Sequence, residues 1–317
     1  MLDKFRGCIL GGAMGDSLGY PVEFYNVSFI KNHKLLKEPY NISLFSDDTQ
    51  MTLFTAEGII ESNGNVLDYI YSAYKYWWAT QMRSMPAGHK FVYESKLYKD
   101  SRLHDLRAPG NTCLSALAVP FEKVGNNSCG CGGVMRVAPI GLVYDPERAY
   151  EIGCEAARFS HLNPLGYEPA GVFSAIISYI ISGEDLKSAI KKAIKLTGNT
   201  DLKVMLKKAV KLANDDLDDL YVFEENQWAG WTGHEALAIA IYCALKYDQE
   251  DKDKKEKFKD ALIASVNHNG DSDSTGAILG NILGAYYGVE NLPFDKEKLE
   301  CYDILEDISL KLYQEIE

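Results

Sequence analysis

Two acidic stretches, far apart in the chain, carry the side chains best suited to chemistry. One is Asn267-His268-Asn269-Gly270-Asp271-Ser272-Asp273-Ser274-Thr275-Gly276, and the other is Ser46-Asp47-Asp48-Thr49. Each lies where a helical pattern begins. Four aspartates with neighbouring hydroxyls at two helix starts are a donor set for a hard cation. The same residues are ordinary helix starters. Asp, Ser and Thr accept orphan N–H groups, and an acidic first turn suits the helix dipole. Capping explains either stretch alone; the pair points to a site.

Other residues could join them. Asp16 falls near a helix end, where its charge is unfavourable with the dipole, and so is a candidate for hydrogen bonding or outer metal support. Glu23 follows in a turn, where a lone glutamate is usually solvated. The loop Gly125–Gly133 could offer backbone N–H groups to a phosphate. It has no Lys-Ser/Thr after its glycines and no strand–turn–helix context, so it is neither a Walker loop nor a dinucleotide fingerprint. His161 sits in a polar turn. Trp228 and Trp231 lie in a glycine-rich turn that suits either packing or an aromatic platform.

The elements that must position these groups read as helices. The patterns predict helices over Phe5–Tyr20, about 14 residues from Ser46, Leu67–Thr80, Pro146–Phe159, Gly166–Ser182, Ala236–Lys246 and Phe258–Val266. Two lysine-rich helices fall within 184–220, and a charged one within 296–317. Residues 26–45 read as an irregular surface loop. The aromatics of 67–80 read as core. Gly7, Gly11, Gly15 and Gly19 step by four, and so do Gly276, Gly280, Gly284 and Gly288. A glycine inside a helix costs about 1 kcal/mol relative to alanine. Two such rows predict that these helices pack closely, directly or through shared neighbours, bringing Asp16 and Glu23 to the Asp271 motif. No run of alternating strands occurs. The chain reads as all-α and as one domain over residues 1–317, because a site split between its two ends cannot be divided.

Composition narrows the class. The 317 residues are 46% hydrophobic and 25% charged, usual for a soluble globular protein. A net charge of -12 argues against a general nucleic-acid or membrane-surface binder. The seven cysteines are odd in number and form no CxxC, which favours reduced thiols in a cytoplasmic protein. No apolar run reaches the length of a membrane span.

Taken in order, Gly15-Asp16-Ser17-Leu18-Gly19 with Glu23-Phe24, Ser46-Asp47-Asp48-Thr49, Cys131-Gly132-Gly133-Val134-Met135-Arg136 and Gly270-Asp271-Ser272-Asp273-Ser274-Thr275 resemble the ADP-ribosylglycohydrolase family. Arg107-Ala108-Pro109-Gly110 and the Ser160-His161 turn are similar to family segments, the former closest to arginine-type members. The resemblance implies a compact single-domain multi-helix bundle with a centre of two Mg²⁺ ions. Ser46, Asp47 and Asp48 would ligate one ion, and Asp271, Asp273 and Ser274 the other, with an aspartate bridging. Ser272 and Thr275 would be turn and cap residues. Glu23 or Asp48 would move the proton. Backbone N–H groups of Gly132, Gly133 and Val134 would receive the pyrophosphate, with His161 near the phosphates or distal ribose. Trp228 or Trp231 would stack on adenine.

The implied function is magnesium-dependent hydrolysis of the N-glycosidic bond between ADP-ribose and a modified arginine. An ADP-ribosylated protein would be the substrate and ADP-ribose the product. The alternatives are a hydrolase of serine-linked, other O-linked or nucleic-acid-linked ADP-ribose, and a catalytically silent ADP-ribose binder.

Overall fold

The first helix and the fourteenth lie against each other backbone to backbone. In the computed structural model, which describes residues 1–32, 43–248 and 252–316, α1 (Leu2–Gly19) runs antiparallel to α14 (Ser272–Tyr287). Gly7 faces Gly284, Gly11 faces Gly280, and Gly15 faces Gly276. A Cβ on Gly11 would fall 2.5 Å from the Gly280 carbonyl oxygen, and the partner position is as tight. Only residues without a side chain permit this approach, so the glycine rows specify the contact. The direct version of the packing expectation therefore holds. Gly288 leaves the row: with φ of 83° it ends α14.

Antiparallel packing carries the end of α1 to the start of α14. There α3 (Asp47–Ile60) also begins. Asp16, fully buried on α1, accepts the Ser46 N–H at 2.8 Å and the Thr49 N–H at 3.0 Å. Its carboxylate thus satisfies donors that α3 cannot satisfy itself. Of the two roles open to Asp16, the structure shows hydrogen bonding. Arg6 on α1 makes two 2.7 Å bonds to Glu306 on the terminal helix α15 (Tyr302–Gln314).

The remaining helices wrap this core. They are α2 (Val27–Asn32), α4 (Val66–Met82), α5 (Asn111–Leu117), α6 (Ala138–Val143), α7 (Pro146–Arg158), α8 (Pro164–Ile181), α9 (Leu186–Leu196), α10 (Thr200–Leu212), α11 (Asp219–Asn226), α12 (Gly233–Tyr247) and α13 (Lys254–Val266). Among the described residues there are no strands, only the single antiparallel bridge Gly130–Thr232. The all-α expectation is met. Tyr74 and Trp77 of α4 are fully buried, as core aromatics should be. α8 is apolar almost throughout and lies inside, whereas α9 and α10 bury one apolar stripe each and leave lysines outside.

Three local readings need correction. Residues 27–32 form α2 rather than loop, while 33–42 lie outside the described residues. α13 begins at Lys254, because Asp253 accepts the Lys255 N–H and caps it inside the mixed-charge stretch. α11 went unseen because its aromatics pack in a short helix with little periodic contrast. No helix among the described residues is long and apolar enough to cross a membrane.

Gly280→Ala should destabilise the protein by at least about 1–3 kcal/mol through overpacking. Gly64→Ala, where a Cβ meets nothing within 4 Å, should change stability by less than about 0.5 kcal/mol. Urea unfolding of both variants checks this; equal midpoints would reject the close packing.

Candidate active site

The two helix starts are held by short-range bonds. Ser46 Oγ accepts the Asp48 N–H at 3.2 Å, and the Asp47 N–H donates to the Arg107 carbonyl at 2.9 Å. Asp271 caps α14 by accepting the Ser274 N–H at 3.2 Å. Its own N–H donates to the Ala229 carbonyl at 2.8 Å. Between these starts lies a cleft of about 320 Å³. Glu23, Asp47, Asp48, Asp271, Asp273 and Ser274 line one part. Residues 108–113 line another, and Gly130, Cys131, Gly132, Met135 and His161 a third. Phe24 and Trp231, 71% and 43% exposed, form the rim, with their rings stacked at 5.9 Å.

The wall built by the glycine loop is tied to its surroundings. Cys131 N–H donates to the Trp231 carbonyl at 3.1 Å, and Gly233 N–H to the Cys129 carbonyl at 2.8 Å. The residue 229–233 turn therefore links the glycine loop to Asp271. Cys131 also donates its thiol hydrogen to Asp271 Oδ2 at 2.8 Å.

Electrostatics set this cleft apart. Among the described residues no lysine or arginine lines it. Burial, with help from neighbouring carboxylates, pushes Asp47, Asp48 and Asp273 well above the usual carboxylate range. Burial and then the Asp271, Asp47 and Asp16 charges push Glu23 up to about 8. Asp16 is pushed up to about 6 by burial, with its hydrogen bonds opposing. Asp48 Oδ2 and Glu23 Oε2 are buried without any hydrogen-bond partner. Buried carboxylate oxygens of this kind call for a proton or a cation. Among the described residues, no three His, Cys, Asp or Glu side chains close on one point as a ready-made cation cage. Asp47, Asp48, Asp271, Asp273 and the Ser274 hydroxyl are the groups that could share hydrated ions.

Some expected site residues lie elsewhere. Ser46 is fully buried as the α3 cap, next to Asp47, and does not itself line the cleft. Asp271 itself caps α14, while Thr275 donates inward to the Ser265 carbonyl at 2.7 Å. Of the three expected phosphate donors only Gly132 lines the cleft. Gly133 backs onto Gly166 and Ala157, and the Val134 N–H already donates to the Cys131 carbonyl at 2.9 Å. Trp228 is 4% exposed in the apolar core, so Trp231 alone can offer a ring face to a ligand. Cys131 and Phe24 lie within the motifs quoted above but carry no role there, and Asn111, Thr112 and Cys113 join the lining without a local chemical pattern.

A family model described as ADP-ribosylglycohydrolase matches residues 1–317. The chain belongs to the ADP-ribosylglycohydrolase family. This family member is 23% identical to human ADP-ribosylhydrolase ARH3, over 99% of its own chain and 93% of that relative. It is 22% identical to ADP-ribosylarginine hydrolase Tri1 of Serratia proteamaculans, over 92% of its chain and 74% of that relative. A solved structure described as an ADP-ribosylglycohydrolase-related protein complex shares its fold. The TM-score is 0.65 at 22% identity, with coverage of 100% of this chain and 99% of that one. Family membership supports ADP-ribosyl glycohydrolase activity on ADP-ribosylated substrates.

An acid with a raised folded pKa favours the fold below its unfolded value and loses that contribution as pH rises through the folded value. Without metal, wild type should therefore lose stability relative to Glu23→Gln from about pH 4.5 to about pH 8, then level off. Thermal unfolding of both proteins in chelator reads the difference, and a wild type that holds or gains stability relative to Glu23→Gln over this window would contradict the assignment.

Proposed function

We propose that this glycohydrolase cleaves the N-glycosidic bond between ADP-ribose and a modified arginine side chain, with Mg²⁺ as cofactor. The carrying observation is a cleft walled by five carboxylates with no lysine or arginine on its lining among the described residues. Such a wall suits cations and a guanidinium leaving group. Two further points support the reading. Ala108, Pro109 and Gly110, from the segment similar to arginine-type members, line the cleft. A relative named for ADP-ribosylarginine matches most of the chain.

The donor set fits Mg²⁺, which takes carboxylate and hydroxyl oxygens and retains several waters. Asp47, Asp48, Asp271, Asp273 and Ser274 would hold it. When bound, Mg²⁺ supplies positive charge that orients sugar hydroxyls and stabilises the developing charge of glycosidic cleavage. The protein's own groups supply the rest. Glu23 and Asp48 each keep a carboxylate oxygen without a partner at the cleft. Either can take a proton from the attacking water, whose oxygen bonds to the anomeric carbon as the C–N bond breaks. The guanidine nitrogen leaves with the bond's electron pair and receives the proton that the carboxylate took from the water. Gly132 and His161 line the cleft where a pyrophosphate would lie, and the part-exposed Trp231 ring, stacked on Phe24 at the rim, would offer a surface for a base.

The test is release of ADP-ribose from arginine- and serine-linked peptides, with Mg²⁺ and with chelator. Arginine-linked substrate should turn over faster, and chelator should stop it. Turnover that survives chelation counts against the cofactor; a faster serine-linked rate counts against the linkage. Asp273→Asn should lower kcat by at least about 100-fold, as loss of a major electrostatic group does. A normal rate in that variant would remove Asp273 from the mechanism.

A further inference from the structure

We propose that Arg136 and Ser160 fix His161 as its Nε2–H tautomer, so that a neutral imidazole presents an N–H to a phosphate oxygen of the bound nucleotide. The phosphate part rests on the reading above that ADP-ribose fills the cleft.

The three residues form a buried chain. Arg136 is fully buried, with its guanidinium 4.3 Å over the Tyr74 ring. It donates to the Ser160 hydroxyl oxygen at 2.7 Å and to the Ala156 carbonyl at 3.2 Å. A guanidinium only donates, so Ser160 Oγ must accept from it. Serine has one hydrogen left to place. Its oxygen and nitrogen choices are the Ala157 carbonyl at 3.4 Å and His161 Nδ1 at 2.9 Å, and the Cys113 sulfur, a weaker acceptor, also lies beside it. The shorter contact is the better bond. A hydrogen on Nδ1 would aim a second donor at an oxygen already facing a cation. Nδ1 therefore accepts, and the ring hydrogen lies on Nε2.

The Nε2 edge is directed at the cleft wall. His161 is 1% exposed, yet it lines the cleft, and no described residue accepts from Nε2. The ring lies against Gly130 and Gly132, where a Cβ would come within 3.3 Å of Nε2 and 3.1 Å of Cε1. Burial, then the Arg136 charge, hold the ring neutral, pushing its pKa down to about 3. A cationic side chain here would be drawn to the carboxylates across the cleft. A neutral N–H of fixed direction serves an anionic oxygen without that competition.

Nitrogen-15 NMR of histidine-labelled protein reads the tautomer directly, and titration with ADP-ribose reads the consequence. Wild-type His161 should show a protonated Nε2 and a bare Nδ1 throughout the neutral range. Ser160→Ala should lose that pattern and bind ADP-ribose about tenfold more weakly. Its KM should rise while kcat stays within about twofold. Ser160→Thr keeps the hydroxyl and should restore the wild-type spectrum and affinity. A hydrogen on Nδ1 in wild type would overturn the proposal, as would Ser160→Ala with unchanged tautomer and affinity. The predicted tautomer in a protein that binds no ADP-ribose would uphold the relay and overturn the reading of the cleft.

Discussion

The structure depends on one contact, the backbone-to-backbone packing of α1 on α14. Where Gly11 meets Gly280 the helices approach so closely that a methyl group would collide with a carbonyl oxygen. A contact this specific admits one register and one direction. It therefore fixes where the end of α1 lies relative to the start of α14, although these segments are separated by nearly the whole chain. Asp16 then passes that placement to α3 by receiving the Ser46 and Thr49 N–H groups. The acidic wall is assembled from three helix ends in this way, each locked to the next.

Such an assembly concentrates like charge. Five carboxylates share the cleft, and among the described residues no lysine or arginine lines it. The starts of α3 and α14 offset part of this through backbone N–H groups and their dipoles. Burial first, and the neighbouring carboxylates second, still hold Glu23, Asp48 and Asp273 above the usual carboxylate range. A site left in this condition by its own fold is suited to bind positive charge. That property links the geometry to the proposed Mg²⁺ and guanidinium chemistry.

The opposite wall follows a different rule. Its glycine loop takes its shape from the bridge to the turn at Thr232 and from the bonds of Asn126 to Ser160 and Ser128. There the useful groups are donors held in fixed directions. Arg136 contributes from behind the wall, itself fully buried, and is linked to cleft-lining residues through Ser160 to His161 and through a 3.5 Å contact to the Cys113 sulfur. The two walls thus divide the demands of a nucleotide-sugar substrate between acceptors and donors.

The sequence by itself determined the all-α class, the approximate bounds of the longer helices α1, α3, α4, α7, α8 and α12, both acidic starts and the two glycine rows. These depend on periodicity and capping within a few residues. α3 shows this well, because Ser46 and the 14-residue apolar pattern after it are local. The four ordered motifs also sufficed for the family resemblance. Tertiary structure alone decided which of those residues face the cleft. Trp228 and Trp231 are three positions apart in one turn, yet one is core and the other rim. Val134 has the sequence position of a phosphate donor, but its N–H is spent inside its own turn. The thiol of Cys131 on Asp271 and the Arg136–Ser160–His161 chain likewise have no sequence signature. The reason is physical. Burial, charge perturbation and the satisfaction of a hydrogen bond are properties of neighbours in space, and at this site those neighbours come from distant parts of the chain.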